Sequence, residues 1–353
     1  MFVKIKRKVL KRIDLDVVKS IEGLLKNGRK RITIVTHVNP DGDAIGSSVG
    51  LSNYLRKLGH FCKVLVPNDY PEYLQWMKGE EVVTVWFKAK YKAIEIIENT
   101  DILFFLDFNE EMRCGAIAEE TKKFKGPRVL IDHHPHPADF TDITISDTGA
   151  CATAELVYEL IDALGDSDLV DESVAECLFS GILTDTGSFN YNTSNPRTYE
   201  IVGQLLKTGI DKDRIHSRLF DNFSHDRMKL LGYCLNDKMV YMPEFKTAFF
   251  SLTQEELAKF NFKPGDTEGF VNFPLSIKDV VFTAIFMEKD GKIKISFRSK
   301  GTFPTNKFAS EHFRGGGHVN ASGGETNLTM DEAVQKFVDL VPQYAEELKI
   351  SML

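Results

Sequence analysis

The first 130 residues carry their apolar positions in short runs, and most of these runs stop at a polar residue. Ile32–Thr36 stops at His37, Ile102–Leu106 at Asp107 and Val129–Ile131 at Asp132, with a further run over Phe61–Val66. Their length and β-branched content predict strands. Stretches of helical spacing separate them, and residues 44–58 read as a helix closed by Gly59. This alternation predicts βαβ units and a parallel sheet. Beyond residue 150 the pattern turns helical, with helices expected over 152–164, 171–184, 196–208, 211–221 and 224–236, the last as a connector. From about residue 238 it changes again. Lys246–Leu252 predicts a strand, and Val280–Glu288 and Lys292–Ser299 flank a hairpin turn at Lys289-Asp290-Gly291. A last amphipathic helix is expected over about 330–348. The fold class is therefore α/β: a parallel-sheet N-terminal domain with helices on both faces, residues 1–222. A smaller α+β domain with its connecting helix follows over 223–353.

Composition narrows the function. The chain has 353 residues and a net charge of −7, with no basic stripe beyond residues 4–12 and 28–31. A protein that grips long nucleic acid shows a basic surplus, so a phosphorylated substrate here is expected to be small. No apolar run approaches the roughly 20 residues of a membrane span. The basic N-terminus, with Val3, Ile5, Val9, Leu10 and Ile13, fits the start of an amphipathic helix rather than a secretory signal. The five cysteines (62, 114, 151, 177 and 234) form no C-x-x-C. Their odd number and wide spacing point to a reducing cytosol.

The polar residues past the strand ends carry the chemistry, because open α/β sheets bind ligands there. His37-x-x-x-Asp41-x-Asp43 is compact, and Gly42 lets the chain bend between the aspartates. Carboxylates crowded in this way repel one another unless cations lie between them. Mixed imidazole and carboxylate ligands suit divalent metals such as manganese, with cobalt, magnesium or zinc as competitors. The simpler alternative is a capped helix, with Asp43 well placed as its N-cap. Asp107 alone is an ordinary strand-end aspartate. Asp132-His133-His134 is more specific, since two adjacent histidines follow an aspartate at a strand end. Asp185, in Thr184-Asp185-Thr186-Gly187, ends a helix, where an anion faces carbonyl dipoles unless a cation is near. Together these pieces supply six ligands, enough for two metals sharing a carboxylate. No P-loop and no nucleophile elbow occurs.

The ordered set His37-Val-Asn-Pro-Asp41-Gly-Asp43, Leu106-Asp107, Asp132-His133-His134 and Thr184-Asp185-Thr186-Gly187 resembles the DHH phosphoesterase superfamily. The stretch Gly315-Gly-Gly-His318-Val-Asn-Ala-Ser-Gly323 resembles the signature of its DHHA1 C-terminal domain. The nearest relatives implied are bacterial oligoribonucleases and pAp phosphatases. The resemblance implies a two-manganese site, with His37 and Asp41 on one metal, Asp43, His133 and Asp185 on the other, and Asp107 bridging. It implies that a metal-bridging hydroxide attacks and that His134 faces the scissile phosphate as donor or general acid. Arg298, Gly316, Gly317 and His318 would bind substrate; read alone, they are a glycine loop and an exposed strand arginine. Two departures stand out: Arg314 where relatives commonly carry glycine, and Asn190 where they often carry arginine.

The expected activity is hydrolysis of short oligoribonucleotides, of 3′-phosphoadenosine 5′-phosphate, or of both, by a cytoplasmic enzyme that engages neither membrane nor long duplex and could be a homodimer. A cyclic di-AMP or pApA phosphodiesterase is the near alternative. A non-catalytic nucleotide-binding protein on the same fold is the alternative of a different class. The glycine-histidine motif argues against a pyrophosphatase, and the lack of basic grooves against a processive exonuclease.

Overall fold

The computed structural model describes residues 13–351, so the N-terminal amphipathic reading lies, apart from Ile13, outside the described residues. The chain divides between Asn222 and Phe223 into two compact units.

In the first unit, β1 (Arg31–Val35), β2 (Phe61–Val66), β3 (Val83–Val85), β4 (Ile102–Leu106), β5 (Arg128–Asp132) and β6 (Ile143–Ser146) form one sheet in the order β3-β2-β1-β4-β5-β6. Every pairing is parallel. Period-two alternation sends Ile32, Ile34, Phe104 and Ile131 to one face. It sends Val35, Leu103, Phe105 and Leu130 to the other. The first face is covered by α1 (Leu15–Lys26), α2 (Gly42–Lys57), α5 (Thr153–Ala163) and α6 (Glu172–Asp185). The second is covered by α3 (Lys90–Glu98) and the region of α4 (Ala118–Thr121). Helices therefore lie on both faces, as expected, and α7 (Pro196–Lys207) and α8 (Lys212–Phe220) complete the unit. The chain builds outward from β1 to β3, then returns to β4 on the other side of β1. The gap between the β1 and β4 carboxyl ends is thus a topological switch point.

Helix α2 begins earlier than its apolar spacing suggests. Its N-cap is Asp41, whose side chain accepts from the Asp43 and Ala44 amides, and Asp43 lies inside the first turn. The reading of Asp43 as N-cap is corrected accordingly. Residues Gly42 to Leu55 are all buried, because α2 runs between the sheet and a second helix layer. Glycines make that possible. A Cβ on Gly46 would lie 2.5 Å from the Cys177 carbonyl oxygen and 2.8 Å from the Gly181 nitrogen. A Cβ on Gly42 would overlap Thr184. The N-terminus of α2 and the C-terminus of α6 are thereby brought together.

The second unit begins with α9 (His225–Tyr233), whose Leu230 and Leu231 pack with Phe250, Leu252 and Phe270. Strands β7 (Val240–Met242), β8 (Thr247–Leu252), β9 (Phe282–Lys289), β10 (Lys292–Ser299), β11 (Gly316–Gly317) and β12 (Ala321–Thr326) pair in the order β11-β12-β10-β9-β8-β7. The β8–β9 pair is parallel and the others are antiparallel. Asp290 and Gly291, at φ 54° and 73°, make the two-residue turn of the β9–β10 hairpin. The remaining helices are α10 (Gln254–Lys259), α11 (Thr305–His312), α12 (Met330–Leu340) and α13 (Ala345–Ile350). The single helix expected over 330–348 is two helices, because Pro342 lies in a 3-10 turn, Val341–Tyr344, between them.

Gly46→Ala should destabilise the protein by about 1–3 kcal/mol, since the methyl group has no room between α2 and α6. Gly203→Ala, on α7 with no atom near the added carbon, should be neutral or slightly stabilising. Urea denaturation of both variants measures this, and equal midpoints would contradict the tight helix contact.

Candidate metal centre

Each residue of the centre is placed by an element end. His37 lies two residues past β1, Asp107 directly past β4, and Asp132 ends β5 with His133 and His134 next in line. Asp41 and Asp43 open α2, and Asp185 is the last residue of α6. Six predicted ligands thus meet at the switch point.

Their atoms sort into two groups. His37 Nε2 lies 3.5 Å from Asp107 Oδ2 and 3.9 Å from Asp41 Oδ1. His133 Nε2 lies 3.6 Å from Asp107 Oδ1, 3.5 Å from Asp185 Oδ2 and 3.9 Å from Asp43 Oδ2. Asp107 turns one oxygen to each group. It is 2% exposed and holds a left-handed backbone angle of φ 70°, a conformation aspartate tolerates better than most residues.

The histidines test whether these donors fit a cation. His37 Nδ1 faces the Val38 carbonyl at 2.9 Å, and His133 Nδ1 faces the Ala150 carbonyl at 3.4 Å. A carbonyl only accepts, so Nδ1 is the donor in each ring and Nε2 is the ring atom turned toward the carboxylate oxygens. The 3.5–3.9 Å spacings exceed a hydrogen bond. They approach the ~3–3.6 Å between two ligands that share an ion at about 2.1 Å. Nε2 atoms and carboxylate oxygens converging at that spacing are a donor set that fits divalent cations.

The four candidates of the second unit lie at one end of its sheet. Arg298 on β10 pairs in register with Ala321 on β12, and its Nη1 donates to the Phe297 carbonyl at 2.9 Å. Gly316 and Gly317 pair with Gly323 and Ser322, and a Cβ on Gly317 would lie 2.7 Å from the Ala321 oxygen. The His318 amide donates to the Ala321 carbonyl at 2.8 Å, closing the turn. The glycine cluster is therefore a strand and turn whose backbone approach excludes side chains at Gly315 and Gly317 and leaves open space at Gly316. Arg314, one of the two departures from the family pattern, is exposed and at φ 46°.

The DHH family, N-terminal domain, matches residues 31–182, and the DHHA1 domain matches residues 246–347. A solved structure of an exopolyphosphatase-related protein from Bacteroides fragilis is 41% identical, with a TM-score of 0.91, over 96% of this chain and 98% of that one. The chain belongs to the DHH family. The bifunctional oligoribonuclease and PAP phosphatase NrnA of Thermus thermophilus is 29% identical over 94% of this chain and 93% of its own. RecJ of Thermus thermophilus, solved in complex with Mn2+, shares the fold at a TM-score of 0.52 and 15% identity, over 94% of this chain and 54% of that one.

Two further residues shape this DHH centre: Asp132, which the sequence placed in the Asp-His-His run without a role of its own, and Thr153, which it did not mark. Asp132 is fully buried, and its Oδ1 lies 2.7 Å from His134 Nδ1. Burial pushes the Asp132 carboxyl up, but the His134 hydrogen bond and the charges of both histidines hold it below the usual range. Asp132 thereby fixes the His134 ring. Its signal was its place in the Asp-His-His run. Thr153 opens α5, and its hydroxyl donates to Asp107 Oδ1 at 2.9 Å. The Thr153 and Ala154 amides donate to Asp43 at 2.6 and 2.9 Å. The N-cap of α5, Ala152, has no capping side chain, so Asp43 caps that helix from α2. No local pattern near residue 153 reports this.

Burial, then the Asp185 charge, pushes the Asp43 carboxyl up to about 7. Burial, then the Asp43 and Asp41 charges, pushes Asp107 well above the carboxylate range. Both hold protons in the metal-free folded chain that the unfolded chain releases near pH ~4. They stabilise the metal-free fold at acid pH, and for Asp43 that contribution is lost as pH rises through about 7. A divalent ion displaces these protons, so its affinity rises with pH. The gain in Tm on replacing EDTA with manganese should therefore be larger at pH 8 than at pH 6. An equal gain at both would rule out competition between proton and metal.

Proposed function

We propose that this protein hydrolyses short oligoribonucleotides and 3′-phosphoadenosine 5′-phosphate with two divalent ions, manganese fitting best. Its coarse class, a phosphoester-cleaving enzyme of the nuclease and phosphatase kind with acidic metal-binding residues, goes with the family and with relatives of that name. The observation that carries the finer reading is Asp107, whose two oxygens face two separate histidine and aspartate groups. The donor set of imidazole and carboxylate suits manganese. All five cysteines are buried elsewhere as free thiols. The relative named oligoribonuclease and PAP phosphatase extends over nearly the whole chain, which supports that substrate pair.

When bound, two such ions acidify a water and neutralise the phosphoryl oxygens. The protein's own residues do the rest. Asp41 and His37 on one side, and Asp43, His133 and Asp185 on the other, would hold the ions, with Asp107 offering an oxygen to each side. Two α5 amides and the Thr153 hydroxyl fix Asp43 and Asp107, so neither swings when charge shifts. His134, aligned by Asp132, presents Nε2 toward the scissile phosphate. Burial holds the His134 ring below the usual imidazole range even with Asp132 beside it, and an arriving phosphate raises it again. That change makes it a proton donor only when substrate is present. Arg298, Gly316, Gly317 and His318 bind the remainder of the nucleotide.

Purified protein with manganese should release mononucleotides from pApA and short RNA, and phosphate from pAp, while Asp107→Ala is inactive. More than a tenth of wild-type activity in that variant would remove the bridging role. Turnover of cyclic di-AMP above all other substrates would favour the phosphodiesterase alternative. Nucleotide binding without any turnover would mark a binding protein.

Asp132→Asn should lower kcat about 10–100-fold with little change in KM, as expected when an orienting partner is lost. The alkaline side of the pH profile should move as well. A change confined to KM would place His134 outside the chemical step.

A further inference from the structure

The chain places an aromatic and basic patch where β3 turns into α3. Residues 82–94 carry three lysines, Lys88, Lys90 and Lys92, and no acidic residue, in a protein of net charge −7. Scattered exposed apolar residues need no explanation, but Phe87 is 74% and Tyr91 is 89% exposed within this one turn. Trp86, between them and the strand, is 3% exposed and anchors the turn, its amide donating to the Val66 carbonyl at 2.8 Å. Among the described residues no carboxylate pairs with Lys90 or Lys92; the Lys90 ammonium lies 5.8 Å from the Trp86 ring centroid, and Lys88 pairs with Asp69 at 2.5 Å. Lys90 and Lys92 also sit in the first turn of α3, where the helix dipole disfavours cations. The local charge thus calls for an anion, and the exposed rings call for flat apolar groups.

This patch lies on the same edge of the sheet as the metal centre. β3 is two strands from β1, about 10 Å at the usual strand spacing. The connection between them is continuous. Asn39, two residues past His37, exchanges hydrogen bonds with Asn68, its amide accepted by Asn68 Oδ1 at 2.7 Å and its Oδ1 accepting from Asn68 Nδ2 at 3.2 Å. Asp69, the next residue, holds Lys88. A run of contacts therefore leads from Asn39, two residues past His37, through Asn68 and its neighbour Asp69 to Lys88, which follows Phe87 in the chain.

We infer that Phe87, Tyr91, Lys90 and Lys92 form a platform for the distal part of a single-stranded oligonucleotide whose end lies in the metal centre. Exposed rings stack bases without regard to sequence, and lysines between them meet the phosphates. The platform engages strands of several nucleotides and leaves a mononucleotide or dinucleotide untouched. This inference rests on the oligoribonucleotide reading for its substrate, but its binding step does not need catalysis.

The test uses the full-length protein and the variants Phe87→Ala/Tyr91→Ala and Lys90→Glu/Lys92→Glu. Fluorescence anisotropy with a labelled adenylate octamer is read in EDTA, where nothing is cleaved. Each pair of substitutions should weaken octamer binding about tenfold or more, and the lysine pair should also flatten the salt dependence. Turnover of pApA with manganese should stay at the wild-type rate. Octamer affinity unchanged in both variants overturns the platform and assigns the patch to a protein partner. A matching loss of pApA turnover also overturns it, since the substitutions would then act on the centre. If the wild-type protein binds the octamer through these residues yet cleaves no nucleotide, the platform stands and the proposed activity fails.

Discussion

Asp43 and Asp107 are buried beside Asp41 and Asp185, where water screens their charges poorly, and the first unit is arranged around that repulsion. Part of it is offset inside the protein. Two α5 amides donate to Asp43, the Thr153 hydroxyl donates to Asp107, and two histidine rings stand between the carboxylates. The rest is met by protons or by cations, and the histidine Nε2 atoms already face the carboxylate oxygens that would share those cations. A core of apolar groups at the same positions would fold with less strain. The centre keeps its charges because its chemistry requires them.

The same contact that fixes Asp43 also builds the fold. Helix α5 lacks a capping side chain of its own and receives one from the first turn of α2. Helix α6 reaches the same place because glycines on both helices remove the side chains that would hold α2 and α6 apart. A Cβ on Gly181 would lie 2.8 Å from Asp43 Oδ1 itself. Helix packing and ligand placement are therefore one constraint, and a change that spreads these helices also dismantles the centre.

Much of this was legible in the chain, for physical reasons that differ by residue. His37, Asp107 and the Asp132-His133 pair stand out because a buried parallel strand carries almost no ionisable residue along its length, so the first one after it marks its carboxyl end. Asp185 could be placed at a helix end, but its approach to Asp43 depends on a glycine contact between helices far apart in sequence. The helix start was misplaced because Asp41 and Asp43 flank Gly42 symmetrically, and only packing against Thr184 chooses between them. β3 and β6 escaped notice as short edge strands, with only Ile145 of Ile143–Ser146 buried. β12 reads Ala-Ser-Gly-Gly-Glu-Thr, which has almost no strand propensity. It pairs because β10 offers a complete edge and because glycine lets β11 lie close on its other side.

Strand order also sorts charge along the carboxyl edge of the sheet. The aspartates gather at β1, β4 and the start of α2, and by themselves they repel a phosphate. Lys90 and Lys92, which no carboxylate pairs among the described residues, follow the end of β3, two strands away, and attract one. An anionic chain approaching this edge meets its attraction away from the reacting groups, so capture does not depend on the state of the centre. Divalent ions held by His37, His133 and the aspartates invert the sign locally, and only then does the edge become attractive along its whole length. On the reading proposed above, the separation would let one acidic protein both concentrate cations and receive an anionic strand, two tasks that oppose each other when the same residues must perform them.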